Sequence, residues 1–89
     1  MSTTSKAREY DPEVTALMEE AHRSYVKQIT EEMNAQGLNT NRLTIGAKAN
    51  AAMTYRMLKP TTNIQLTTMV RYARVLGKKL KLELVDIDD

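Results

Sequence analysis

Apolar residues recur at helical spacing through most of this 89-residue chain. Between Asp11 and Gln36 they step by three or four positions, which predicts one long amphipathic helix. Asp11 is a good capping residue, Pro12 suits the first helical position, and Gly37 is the expected stop. His22 falls on the polar side of the helix in this interpretation. The apolar stripe consists of Val14, Leu17, Met18, Ala21, Tyr25, Val26, Ile29 and Met33.

Three shorter helices are predicted after the long one. Asn39 can cap a helix that runs to about Ala47, and Asn50 can cap another that runs to about Leu58. Pro60 prevents that third helix from continuing. The fourth helix is expected to end at Gly77, and its apolar stripe consists of Leu66, Met69, Val70, Ala73 and Leu76.

The periodicity changes from helical to alternating after Gly77. Residues 80–84 read Leu-Lys-Leu-Glu-Leu, so Leu80, Leu82 and Leu84 share one face of a predicted strand. A lone strand leaves its backbone N–H and C=O groups unpaired. We therefore expect the strand to pair with its copy in a second subunit.

Basic charge is concentrated in one part of the chain. Nine lysines and arginines and no acidic residue lie between Glu32 and Glu83, although the net charge of the whole chain is only +2. The preceding residues carry a net negative charge. A block of one sign attracts polyanions, so nucleic acid is the first candidate partner.

Composition limits the other classes of function. The chain has no cysteine, which excludes a disulfide framework or a thiolate zinc site and favours a cytoplasmic location. No targeting segment and no apolar run of about 20 residues is present, so no membrane association is expected. His22 is the only histidine and the basic block has no carboxylate, so we expect no enzymatic activity, no metal and no cofactor.

Three regions follow from these patterns. Residues 1–10 are polar and have no apolar period, which is typical of a flexible arm. Residues 11–77 form the helical domain, and residues 78–89 contain the dimerisation strand and an acidic tail.

Residues 63–77 read Asn-Ile-Gln-Leu-Thr-Thr-Met-Val-Arg-Tyr-Ala-Arg-Val-Leu-Gly. This segment looks like the last helix of the Cro/CI-like (Xre) helix-turn-helix DNA-binding family, typically N-P-S-L-x-T-L-x-R-I-A-x-A-L-G. Residues 79–85 resemble the dimerising C-terminal strand of its antitoxin-like members. The resemblance implies a mainly α, lambda-repressor-like bundle of four to five helices, with one strand paired across a dimer.

The helix-turn-helix of that family aligns with residues 40–58, although several positions differ from its usual pattern. Lys48 stands where a turn glycine is usual, and a positive φ there costs a non-glycine residue about 1 kcal/mol. Thr54 stands where an aliphatic core residue is usual, so its hydroxyl must find a partner or face solvent. Residues at the family's packing positions are Leu43, Ala47, Ala49 and Met57.

In this family the second helix of the motif enters the DNA major groove. The residues that the resemblance places against base edges are Asn50, Ala51, Ala52, Tyr55 and Arg56. Those placed against phosphates are Thr40, Asn41, Arg42, Lys48, Lys59 and Asn63, and those at the dimer interface are Leu80, Leu82 and Leu84. The alternatives are a solvated or ion-paired Arg56 and a half-buried Tyr55 ring packed on the second helix. Arg71 and Arg74 lie further from the DNA surface in the family layout.

These features favour a homodimeric repressor that reads a palindromic operator in double-stranded DNA and is nucleoid-associated when bound. A close variant is an antitoxin-type autorepressor that covers a toxin or another protein with the long N-terminal helix. The competing hypothesis is a phage- or plasmid-encoded interaction module that uses the same scaffold to bind a host protein without reading DNA.

Overall fold

A computed structural model describes residues 11–59 and 63–87. Within these ranges the chain forms four helices: α1 (Pro12–Gln36), α2 (Thr40–Gly46), α3 (Ala51–Met57) and α4 (Leu66–Val75). The predicted mainly helical class is confirmed, and each helix begins where its capping signal or apolar stripe indicated. The expected flexible arm, Pro60 and the last two acidic residues lie outside the described residues.

Local signals set the helix ends. Three polar side chains each accept a hydrogen bond from the backbone N–H three residues later, at 2.8 to 2.9 Å. These caps are Asp11, Asn39 and Asn50. Gly37 ends α1 with a φ of 71°, a left-handed conformation that glycine adopts without a steric cost. The caps therefore fix where α2 and α3 start and how the chain enters them.

The core lies where the second half of α1 meets the three short helices. Its apolar side chains are Tyr25, Ile29, Met33, Leu43, Ala47, Met57, Tyr72, Ala73 and Leu76. Gly46 allows α2 to approach α4 closely, because a Cβ atom at this position would lie 2.8 Å from Cγ1 of Val75. The start of α1 leaves apolar side chains uncovered, because Val14 and Leu17 are 50% and 40% exposed.

The expectation for His22 was wrong, because this side chain is buried. It is only 6% exposed, and its Nε2 lies 2.6 Å from the carbonyl oxygen of Met57 at the end of α3. Carbonyls at a helix C-terminus lack an intrahelical partner. The Nε2–H group of His22 therefore donates a hydrogen bond to the carbonyl oxygen of Met57. The hydrogen bond thereby ties α1 to the end of α3.

Thr54 connects three helices through its hydroxyl. Its Oγ1 lies 2.6 Å from Oγ1 of Thr44 on α2 and 2.8 Å from the hydroxyl of Tyr72 on α4. The Thr44 hydroxyl donates to the carbonyl oxygen of Thr40, so Thr54 donates to Thr44 and Tyr72 donates to Thr54. Of the two expected outcomes for the Thr54 hydroxyl, a partner or solvent, the structure shows a partner, and the resulting chain of hydroxyls positions α3 against α2 and α4.

Replacing Thr54 by valine is expected to lower the free energy of unfolding by about 1–3 kcal/mol. Valine keeps the side-chain shape but leaves the buried Tyr72 hydroxyl without its acceptor. Urea denaturation at one fixed protein concentration measures the change. The double variant Thr54→Val/Tyr72→Phe removes both partners and should recover most of the loss. A single variant as stable as the wild type would contradict this role.

Tyr25 joins α1 to α4 and stays protonated. Its hydroxyl donates to the carbonyl oxygen of Met69 at 2.8 Å. Burial raises the pKa of Tyr25 above its ordinary value, and the neighbouring Tyr72 adds to the effect. Because the folded-state pKa is raised, this contribution to stability is complete below the ordinary tyrosine pKa of about 10 and declines only as the pH rises beyond it.

Lys48 adopts a left-handed conformation, with a φ of 56°, so it carries the steric cost that a glycine at this position would avoid. Lys48→Gly is therefore expected to raise the free energy of unfolding by up to about 1 kcal/mol, because glycine relieves the steric cost at positive φ. Lys48→Ala is the matched control: it removes the charge but keeps the strain, and should not stabilise. Equal thermal stability of the glycine and alanine variants would contradict this explanation.

The C-terminal strand is not confirmed, since no strand is assigned within residues 11–59 and 63–87. The physical reason is that a strand needs ladder hydrogen bonds to a neighbour, and the described part of this single chain supplies none. Leu80 is half-buried and packs against the core of its own chain. Lys78 adds a link to α1, with its Nζ 3.6 Å from Oε2 of Glu32.

Candidate nucleic-acid interface

A groove between α3 and the start of α4 brings together several of the predicted site residues. This α3–α4 groove is lined by Asn50, Ala52, Met53, Arg56, Asn63, Ile64, Gln65 and Thr68. Asn50, Ala52, Arg56 and Asn63 were predicted from the sequence, the first three as base-facing residues and the last as a phosphate contact. The fold thus places four predicted residues around one concave surface.

The polar groups of the α3–α4 groove are suited to donating hydrogen bonds. Oδ1 of Asn50 is occupied by the N–H of Met53, so the side chain presents its NH₂ group to other partners. Arg56 is exposed and carries five N–H donors in a planar fork. Ala52 is small and exposed, which leaves room for a ligand to approach the helix. None of the described residues that line the groove carries a carboxylate.

Tyr55 lies on the exposed side of α3. Its ring is 62% exposed, and the Nζ of Lys59 lies 4.9 Å from the ring centroid in a cation–π contact. The alternative of a half-buried ring packed on α2 is therefore wrong. Lys59 therefore lies over the face of the Tyr55 ring, and its charge adds to that of Arg56 at the C-terminal end of α3.

The remaining predicted residues lie in several places. Thr40, Asn41 and Arg42 form the exposed first turn of α2, and none of them lines the α3–α4 groove. Lys48 lines a neighbouring groove, between α2 and α4. Ala51 is exposed at the start of α3 without lining either groove.

The three leucines predicted at a dimer interface differ in exposure. Leu80 is half-buried, whereas Leu82 and Leu84 are 69% and 102% exposed. Val85 and Ile87 are exposed as well. The described end of the chain therefore presents an uncovered apolar segment beyond Leu80.

The basic block lies on the protein surface and is almost free of ion pairs. Its nine cations are exposed, and within the described ranges only Lys78 has a carboxylate partner, Glu32. Uncompensated cations produce a positive potential around the residues that carry them, and this potential attracts anions. The members of the block are Arg42, Lys48, Arg56, Lys59, Arg71, Arg74, Lys78, Lys79 and Lys81.

Gln65 and Thr68 were missed by the sequence prediction. Both line the α3–α4 groove because the start of α4 packs beside α3. Their polar side chains lie just before and within the first turn of α4, next to the apolar stripe. That position was a signal that they face outward, but only the fold shows that they face α3.

No helix in residues 11–59 and 63–87 combines the length and the apolar character that crossing a bilayer requires. Comparison of this chain with protein-family models, with curated proteins and with solved structures finds no match in any of the three.

Proposed function

We propose that this protein is a homodimeric, sequence-specific transcriptional repressor that binds a palindromic operator in double-stranded DNA. The observation that carries the proposal is the α3–α4 groove. It combines an exposed helix start with four amide- or guanidinium-bearing side chains and, among the described residues, no carboxylate, and the exposed cations of the basic block have few ion pairs. This chemistry complements base edges and phosphates and is unfavourable for a basic partner.

In the proposed complex α2 and α3 act as a helix-turn-helix, and α3 enters the major groove. Arg56 bonds guanine O6 and N7 with its two-pronged donor, which contributes about 1–3 kcal/mol of discrimination. The NH₂ group of Asn50 donates to an acceptor on a base edge, while Ala51 and Ala52 contact thymine methyl groups. Lys59 binds a phosphate beside α3 and fixes the register without reading sequence.

A second copy supplies the other half of the operator. The exposed leucines Leu82 and Leu84 pair across a two-fold axis, so two copies of α3 reach half-sites about 34 Å apart. Occupation of the promoter then excludes the polymerase. An antitoxin-type autorepressor would bind DNA in the same way.

Selection from a pool of random duplexes tests this proposal. The wild-type protein is expected to enrich a sequence with two inverted half-sites about 10 base pairs apart. Enrichment of a single unrepeated motif would contradict binding as a symmetric dimer. A pool that stays random after repeated rounds of selection would contradict sequence-specific recognition itself.

One observation favours a second candidate function, a protein-interaction module. The first half of α1 exposes Val14 and Leu17 beside Glu13 and Glu20, so an apolar strip with acidic neighbours projects from the core. Exposed apolar surface rimmed by charge is typical of protein-binding sites. The two functions differ in salt dependence, because DNA binding weakens steeply with salt in proportion to the phosphates neutralised.

A further inference from the structure

A second groove, between the end of α2 and the outer side of α4, gathers three cations. Its lining includes Gly46, Lys48, Thr67, Arg71, Arg74 and Val75, and it encloses about 480 Å³. Every charged side chain that lines it is positive. The α2–α4 groove thus carries three positive side chains, whereas the α3–α4 groove carries one, Arg56.

The backbone holds these cations close to one another. Arg71 and Arg74 are three residues apart on α4 and so share one face of the helix. Lys48 joins them from the turn before α3, where its φ of 56° reverses the chain direction. The contact of Gly46 with Val75 keeps α2 against α4 beneath them.

None of the three cations has a carboxylate within ion-pair distance in the part of the chain that the structure describes. Like charges gathered without a counterion raise one another's electrostatic energy, and a bound anion relieves it. The guanidinium forks of Arg71 and Arg74 match the paired oxygens of a phosphate, and the exposed Thr67 hydroxyl is a further donor.

The two grooves are neighbours. Lys48 and Thr67 line the α2–α4 groove, whereas Asn50 and Thr68, close to them in sequence, line the α3–α4 groove. A polyanion seated at the α3–α4 groove and extending past the turn therefore meets the α2–α4 groove next.

We propose that Lys48, Arg71 and Arg74 bind the phosphodiester backbone of the duplex whose bases face the α3–α4 groove. The inference rests on the proposed DNA-binding function and extends its contact surface onto α4. It assigns a role to Arg71 and Arg74, which the sequence resemblance had placed further from the DNA. These contacts add affinity for any sequence and carry no base discrimination.

Fluorescence anisotropy with a mixed-sequence duplex of about 30 base pairs tests this inference, because the length accommodates two half-sites. Binding is measured from about 50 to 200 mM KCl for the wild type and for Arg71→Gln/Arg74→Gln. Removing two phosphate contacts should flatten the slope of log K against log salt by about 1.8. Each single variant should flatten it by about half as much.

Arg23→Gln/Lys27→Gln is the matched control, since it also removes two positive charges, but from the exposed side of α1. Its slope should stay close to that of the wild type. Equal slopes for the two double variants would overturn the inference and leave the proposed function standing. A wild type that binds no duplex at low salt would overturn both. Circular dichroism checks that each variant keeps its helical signal.

Discussion

Reversing the charges of Arg56 and Lys59, as Arg56→Glu/Lys59→Glu, is expected to lower affinity for the selected operator at least about 100-fold. Loss of one bidentate guanine contact alone corresponds to about 1–3 kcal/mol, or roughly 5- to 150-fold. The two new carboxylates also repel the phosphates that Lys59 is proposed to contact. Both side chains are exposed, so the folded protein should tolerate the change.

The matched control is Arg23→Glu/Lys27→Glu, which changes the net charge equally on a surface of α1. Lys27 lies 3.9 Å from Glu31 in an exposed pair, and such pairs contribute little to stability. Mobility-shift titrations of both variants against the selected operator measure the effect. Equal losses in the two variants would show that net charge, and not the position of Arg56 and Lys59, governs binding.

The variant Leu82→Lys/Leu84→Lys is expected to be monomeric and to bind the operator about 10²- to 10⁴-fold more weakly. Two linked half-site contacts gain this factor from their high effective concentration, and a monomer loses it. Both leucines are exposed in the single chain, so lysine creates no buried charge within it. Leaving Leu80 intact preserves the packing of the C-terminal segment against the core.

Light scattering at micromolar concentration gives the mass of this variant. Val14→Lys/Leu17→Lys makes the same chemical change on the exposed half of α1 and should remain a dimer. A dimer that persists in the leucine variant would contradict the proposed interface. If the α1 variant were the monomer instead, the interface would lie along α1.

The helix boundaries could be predicted because their signals are local. Asp11, Asn39 and Asn50 each bond to an N–H only three residues away, and Gly37 ends α1 through its own backbone conformation. The left-handed conformation of Lys48 has no such local signal, since lysine disfavours it, and only the resemblance to a turn with glycine at this position pointed to it. Helix caps and helix stops of this kind depend only on residues that are close in sequence.

His22 shows why other features could not be predicted. Its position continues the helical spacing of three and four residues that connects Met18, Tyr25 and Ile29. A polar side chain is buried in a core, however, only where a hydrogen-bond partner is available. That partner is the carbonyl of Met57, 35 residues away. The need of Thr54 for a hydrogen bond was foreseeable, whereas Thr44 and Tyr72 as its partners were not.

The candidate site depends on similar long-range relations. The residues of α3 were foreseen, but Gln65 and Thr68 join them only because α4 packs beside α3. Arg71 and Arg74 acquire a shared groove with Lys48 through the close approach of α2 and α4 at Gly46. The predicted pairing of the C-terminal segment would involve a second chain, which the fold of one copy does not contain.

The central claim, sequence-specific binding of DNA, is tested most directly by a mobility-shift titration against the DNA upstream of this protein's own gene. An unrelated duplex serves as competitor, and the titration is repeated at two salt concentrations. The proposed function predicts a shift that survives the competitor and weakens as salt rises, because neutralised phosphates release counterions. A shift that the competitor removes equally well would contradict specific recognition and leave only a nonspecific basic surface.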